Sequence, residues 1–280
     1  MNKVIKITLG VLAVAIVALI AKFIMDGNSN ITNYADYDLH SIIGPTKDNG
    51  NIGDHIKGSA DAPVVIFEYA DYQCSVCAVF SSRVNELIKK YDGKLAVVYR
   101  NFLLSYHQNG TAAASSAEAA SLQGYWNEYA DALFDNQAEW EYASSSERTR
   151  LFERYFTEVT GGKGDLDKFK KDVASKEVSK KLSFDAGIGR RLTEITGTPS
   201  FFIDGQLIDR SGASYIVIDG EIVSWDEDID FIDLMSRIID TKLAHANKLN
   251  CKKIFPFAGI FFSLDVLDFN KFLPSGRGNF

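Results

Sequence analysis

Val64-Val65-Ile66-Phe67-Glu68-Tyr69-Ala70-Asp71-Tyr72-Gln73-Cys74-Ser75-Val76-Cys77 is the stretch that decides the fold. Its first four residues, entered through Ala62-Pro63, form an unbroken apolar run dense in β-branched side chains, which suits a central strand covered on both faces. Asp71, Tyr72 and Gln73 interrupt it. From Ser75 the apolar positions Val76, Val79, Phe80, Val84, Leu87 and Ile88 recur at helical spacing until Tyr91-Asp92-Gly93 stops the pattern. Leu95 to Tyr99 is a second strand, so the unit is β-α-β, with a right-handed crossover expected.

Cys74 and Cys77 therefore fall where a buried strand hands over to a helix. There the unsatisfied N–H groups and the positive end of the helix dipole stabilise a thiolate, lowering the thiol pKa below its free value of about 8.5. Cys74, at the exposed end, is predicted to be the nucleophile, and Cys77, one turn further in, the resolving thiol. The alternative is a pair of inert buried thiols or half a metal site. A structural zinc needs four ligands, and His40, His55, His107 and His245 show no suitable spacing, so no metal is expected. Three cysteines are too few for a disulfide scaffold. Cys251 lies outside the motif, as an incidental thiol or as a third redox station or intermolecular bridge.

The chain of 280 residues, 46% of them apolar, can bury a full core. A net charge of -7 argues against nucleic acid as a partner, because phosphate neutralisation needs a basic face. The Lys-rich stretch from Lys168 to Lys181 alternates with acidic residues and reads as a solvated helix surface. Gly187-Ile188-Gly189-Arg190 lacks the third glycine and the preceding strand of a dinucleotide loop.

Lys3 and Lys6 precede an apolar run from Ile7 to Ala21, and Phe23, Ile24 and Met25 follow Lys22. With Lys22 snorkelling to the interface, this helix reaches the roughly twenty residues that cross a bilayer. Residues 1–26 are predicted to be an N-terminal transmembrane anchor. The competing reading is a cleaved signal peptide, although no small-x-small site follows the apolar core. Basic residues on the amino side place the rest outside the cytoplasm, and either reading puts the domain in an oxidising compartment. The expected location is the cell membrane, single-pass, with the catalytic domain extracytoplasmic.

Residues 27–58, rich in Asn, Asp, Gly and Ser, read as a linker to a domain over 59–248. From Thr111 to about Arg191 the texture is helical, with Gly161-Gly162 and Gly164 marking a break, and we read it as a helical insertion in an α/β domain. Two hairpins are predicted around Asp204-Gly205 and Asp219-Gly220. A final helix follows from about Asp226, with Phe231, Leu234, Met235, Ile238, Ile239 and Leu243 on one face. The tail over 249–280 is Phe-rich and broken by Pro256 and Asp265; it is too short to span a membrane, and its role is open.

The segment Phe67 to Cys77 resembles the active-site segment of the DsbA family of bacterial thiol-disulfide oxidoreductases, especially its membrane-anchored, BdbD-like form. Thr196-Gly197-Thr198-Pro199-Ser200-Phe201-Phe202-Ile203-Asp204-Gly205 resembles that family's cis-proline loop and following strand. Tyr99-Arg100-Asn101-Phe102-Leu103-Leu104, on through His107 and the helix to Ala120, resembles the start of its helical insertion. The resemblance covers residues 60 to about 210. It implies a thioredoxin fold with the insertion as a cap beside the active site and Pro199 cis. The backbone of Thr198 would pair with an extended substrate segment, and Glu68 would be a buried acid moving protons at the inner cysteine. Burial among strand apolars should raise the Glu68 pKa; the alternative is a solvent-facing edge carboxylate.

The implied activity is dithiol oxidation, introducing disulfides into exported proteins with no cofactor beyond the Cys74–Cys77 disulfide itself. The implied re-oxidant is a membrane partner of the DsbB or vitamin K epoxide reductase type. One departure stands out: Ser75-Val76 replaces the Pro-His or other Pro-containing pair often found between the cysteines. Without an imidazole, Cys74 is left with the helix dipole and the Ser75 hydroxyl, so a smaller pKa depression and a weaker oxidant are expected. Isomerase and reductase roles stay open, as does a non-catalytic, chaperone-like binding module on the same fold.

Overall fold

The computed structural model describes residues 15–18, 22, 32–209, 214–226 and 228–254, with side chains as far as 247. Residues 15–18 and 22 are helical, and the remainder of the predicted anchor over 1–26 lies outside the described residues. Among the described residues no helix is long and apolar enough to cross a membrane. The chain divides into two compact units, 1–212 and 213–280, rather than the single domain expected over 59–248.

The first unit is a five-stranded mixed sheet with a helical insertion. Its strands are β1 (His55–Gly58), β2 (Val64–Ala70), β3 (Leu95–Asn101), β4 (Ser200–Ile203) and β5 (Gln206–Leu207), in the order β1-β3-β2-β4-β5. Helix α1 (Ser75–Lys90) connects β2 to β3, which pair in parallel with Glu68 opposite Tyr99. On its other side β2 pairs antiparallel with β4, Glu68 opposite Phe201, so β2 is central. Such a strand is covered on both faces, which explains its apolar run.

The insertion comprises α2 (Gly110–Ser121), α3 (Trp126–Asp135), α4 (Gln137–Trp140), α5 (Ser145–Val159) and α6 (Leu166–Val173); α7 (Lys176–Gly189) completes the run. Side chains of Ser144, Asp165 and Ser175 accept the Glu147, Lys168 and Val178 N–H groups, capping α5, α6 and α7. Two cores result. One joins Ala70, Tyr72, Cys74, Cys77 and Tyr99 to the insertion through Trp126, Leu133, Trp140 and Phe152. The other packs Phe67, Tyr69, Val98 and Phe202 against Phe184 and Ile188 of α7. Side chains alternate along a strand, so Glu68 lies on the Ala70 side of β2, the face that carries the cysteines.

The stretch 27–58 is corrected from Tyr34 onward. Ile43 and Ile52 are buried, β1 pairs with β3, and the segment is held by polar bonds that leave no apolar period in the sequence. Asn49 Nδ2 donates to the Gly44 carbonyl at 2.9 Å, and the Thr46 N–H donates to Asn49 Oδ1 at 2.7 Å. Lys181 is likewise not a solvated surface residue. It is fully buried, 2.8 Å from Asp185 and 3.6 Å from Asp54, a burial that charge pairing makes tolerable.

The second unit contains the hairpin β6 (Ser214–Ile218) and β7 (Glu221–Trp225) and helix α8 (Phe231–Ile254). Both Asp-Gly turns have positive φ at both residues, 48° and 77° at Asp204-Gly205 and 50° and 87° at Asp219-Gly220. That is the type I′ geometry of a two-residue hairpin. Helix α8 begins later than the pattern indicated, because the Asp230 carboxylate accepts the Ile232 N–H and sets the start. Cys251 falls in its last turn, with its side chain outside the described residues, as is the tail from 255.

Candidate active site

Cys74 is the N-cap residue of α1, with extended backbone (φ -72°, ψ 118°), and both it and Cys77 are free thiols. As a thiol, Cys74 Sγ donates to the Thr198 carbonyl at 3.3 Å. Its pKa is lowered to about 5. The largest cause is a hydrogen bond from the Cys77 thiol, aided by the Thr198 side chain and by the N–H groups of Cys77 and Val76, with burial acting in opposition. The Thr198 hydroxyl is buried with no other hydrogen-bond partner, which leaves it free to serve the thiolate once the thiol proton has gone. Ser75, expected to help, is exposed, and the donors are backbone amides, Cys77 and Thr198 instead.

Cys77 has no solvent exposure, and burial pushes its pKa far up; its bond to Cys74 and the Cys74 charge add to this, while the Asp71 N–H opposes it. The two sulfurs thus divide into a stabilised anion and a protonated neighbour, the asymmetry that exchange between a nucleophilic and a resolving thiol requires.

Glu68 is buried, 4% exposed, and burial raises its pKa to about 7 against the pull of Lys57. It is not an edge carboxylate. Lys57, in the stretch read as linker, donates to Asn85 Oδ1 at 3.0 Å and pairs with Asp131. Glu68 also bears on Cys77, raising its pKa electrostatically. The Thr198–Pro199 bond is cis. The Pro199 loop and Val76 and Phe80 of α1 line a groove of about 280 Å³ beside the cysteines.

Two glutamine side chains to which the sequence reading gave no role fasten the segment before Cys74 to the insertion. Gln137 Nε2 donates to the carbonyls of Tyr72 at 2.6 Å and Cys74 at 3.1 Å. Gln73 Nε2 donates to the Glu141 carbonyl at 2.7 Å, and Gln73 Oε1 accepts the Asn109 N–H at 2.6 Å. Their partners lie more than thirty positions away in the chain, beyond any local pattern. Among the described residues no three or more His, Cys, Asp or Glu side chains are arranged to hold a metal.

A β-α-β unit with a dithiol at the helix start and a cis-proline loop beside it defines a thioredoxin-fold protein. The sequence model described as Thioredoxin matches residues 50–215, and the chain belongs to that family. Within it the chain is DsbA-like. The crystal structure of Wolbachia pipientis alpha-DsbA1 superposes with a TM-score of 0.52 at 26% identity, covering 70% of this chain and 94% of that one. The probable disulfide bond formation protein D of Bacillus cereus is 27% identical over 180 residues, 60% of this chain and 80% of its own length. The Na(+)/H(+) antiporter NhaA 1 of Mycolicibacterium vanbaalenii is 32% identical over 155 residues, 54% of this chain; the chain spans only 23% of that antiporter. The expected likeness to the DsbA family is borne out.

Proposed function

We propose that the chain is an extracytoplasmic thiol-disulfide oxidoreductase working as a dithiol oxidase. In the disulfide form, a substrate thiolate attacks Cys74 Sγ, the Cys74–Cys77 bond breaks, and Cys77 leaves as a thiolate that takes a proton from Glu68. A second substrate thiolate attacks the sulfur bonded to Cys74. The substrate disulfide closes and Cys74 departs as a thiolate, so two electrons remain on the pair. Glu68, with its pKa near 7, can carry the proton in either direction at neutral pH.

The observation that carries this reading is the seat of Cys74 at the start of α1, 3.3 Å from the Thr198 carbonyl of the cis-proline loop, where Cys77, Thr198 and the helix amides lower its pKa to about 5. A stabilised thiolate favours the reduced form, and a stabilised reduced form makes the disulfide oxidising. No cofactor is needed beyond the cysteines. Exported proteins are the substrates, held along the Pro199 groove with the Thr198 backbone pairing to them, and a membrane partner of the DsbB or vitamin K epoxide reductase type restores the disulfide. Residues 1–26 anchor the chain with this domain outside.

Trapping tests the roles: Cys77→Ala should accumulate mixed disulfides with substrate while Cys74→Ala accumulates none, and the reverse pattern would refute the assignment. Equilibration with a glutathione buffer tests the direction. An oxidase should lie between about -180 and -120 mV; a potential near -270 mV would make it a reductase.

A further inference from the structure

Cys77 must carry negative charge each time the Cys74–Cys77 bond breaks, and it does so without solvent exposure. Among the largest influences on this sulfur, it is the backbone N–H of Asp71 that favours the anion. The carbonyl of the same residue accepts the Cys74 N–H at 3.0 Å, so Asp71 brackets both cysteines through its backbone.

What holds Asp71 is its side chain. The carboxylate is fully buried and accepts three hydrogen bonds of 2.9 Å, from the Gln73 N–H, the Leu104 N–H and His107 Nδ1. Gly110 leaves it room, since a Cβ there would lie 2.7 Å from Oδ1. Two of the three donors are backbone amides, and His107 is the side chain of the set. A carboxylate facing it requires the proton on Nδ1. The backbone of His107 is fixed in turn by its N–H, which donates to the Leu104 carbonyl at 3.0 Å, and Tyr106 packs edge-on against the ring at 4.7 Å.

We propose that His107 is a positioning residue for Cys77: by holding the Asp71 carboxylate it fixes the peptide whose N–H stabilises the Cys77 thiolate. It thereby governs the steps in which Cys77 leaves or attacks, and not those in which Cys74 is the attacking or departing thiolate. This rests on the exchange chemistry proposed above and divides it between two sets of groups. Helix amides and Thr198 serve the Cys74 thiolate; Asp71 and His107 serve the Cys77 thiolate.

Oxidised glutathione separates the two steps. Reduced protein attacks it through the Cys74 thiolate, forming the Cys74–glutathione bond and releasing one glutathione thiolate. The Cys77 thiolate then attacks Cys74 Sγ, forming the internal disulfide and releasing the second. Both rates are read by acid quench and mass spectrometry on the full chain. His107→Phe should slow release at least about tenfold, as loss of one hydrogen bond to a charged group implies. Capture should stay within about twofold, and Cys74 should still titrate at 240 nm near 5.

His107→Gln keeps a side-chain N–H donor and should restore most of the release rate. If His107→Phe does not fold, Asp71→Asn carries the same prediction, because it weakens the same bond at nearly constant shape. Equal slowing of capture and release, unchanged release, or a folded His107→Gln that stays slow would each overturn the proposal. A wild-type chain that completes neither step would instead sink the exchange chemistry itself, and this proposal with it.

Discussion

Glu68 and Asp54 are both acids of the first unit whose carboxylates are buried, yet they titrate in opposite directions. Burial raises both. At Glu68 only the attraction of Lys57 opposes it, and Lys57 is itself engaged by Asn85 and Asp131, so the pKa stands at about 7. At Asp54 burial is outweighed by Lys181 and Arg100. Arg100 Nη2 donates to Asp54 Oδ2 at 2.7 Å, and the Ile43 N–H donates to the same oxygen at 2.8 Å, so the pKa falls below the usual range. Desolvation sets the sign for a buried acid, and an adjacent hydrogen-bonded cation reverses it. The first arrangement suits a group that must pick up and give away protons; the second suits a clamp between the segment before β1 and the sheet.

The comparison breaks most completely at Arg100. Arg100→Met removes the cation beside Asp54 together with bonds to the carbonyls of Leu39 and Ser41. Leaving a buried carboxylate short of its partner should cost about 3–5 kcal/mol, measured by urea unfolding at pH 7. A loss within about 1 kcal/mol would mean that the clamp contributes nothing net.

Next in size is Glu68→Gln. The folded pKa of about 7 stands above the reference value of 4.5, so this group's contribution to stability is complete below 4.5 and lost as pH rises through 7. Replacing it should therefore stabilise the chain by on the order of 3 kcal/mol at pH 8 and by less than about 1 kcal/mol at pH 5. The depressed Asp54 works in the other direction, holding its stability at neutral pH and losing it as the solution is acidified through its folded pKa. Equal gains from Glu68→Gln at the two pH values would show that the carboxyl is not perturbed.

The smallest effect sharpens the contrast. Lys57→Met should drive Glu68 further up, on the order of one unit, read from carboxyl infrared absorbance across pH. The Cys77 step should acquire the same shift in its pH profile if Glu68 serves that sulfur. A displaced Glu68 titration with an unmoved Cys77 profile would separate the two groups.

The thioredoxin core was legible because its signals are local. A strand buried on both faces writes a continuous apolar run, the helix after it writes a 3.6-residue period, and Asp204-Gly205 writes a turn that needs positive φ. Cys74 and Cys77 were readable because the motif sits at the junction of two such elements. Residues 34–58 were misread because their order comes from partners far along the chain, such as Arg100 for Asp54, and polar clamps leave no period. Lys181 was misread for the same reason: its partner Asp54 lies on another element, and a lysine among acidic residues looks solvated until that contact is known. His107 and Asp71 both lay within the resembling segments, but nothing local announces that they touch across 36 positions.

The sequence by itself determined the order of elements, the placement of the cysteine pair at a helix start and the turns that close the hairpins, since each depends on residues within a few positions of one another. Only the tertiary structure decided how the buried acids Glu68 and Asp54 diverge and which groups hold the Cys74 thiolate. Those outcomes depend on burial and on distances of about 3 Å between groups that the chain separates by tens of residues.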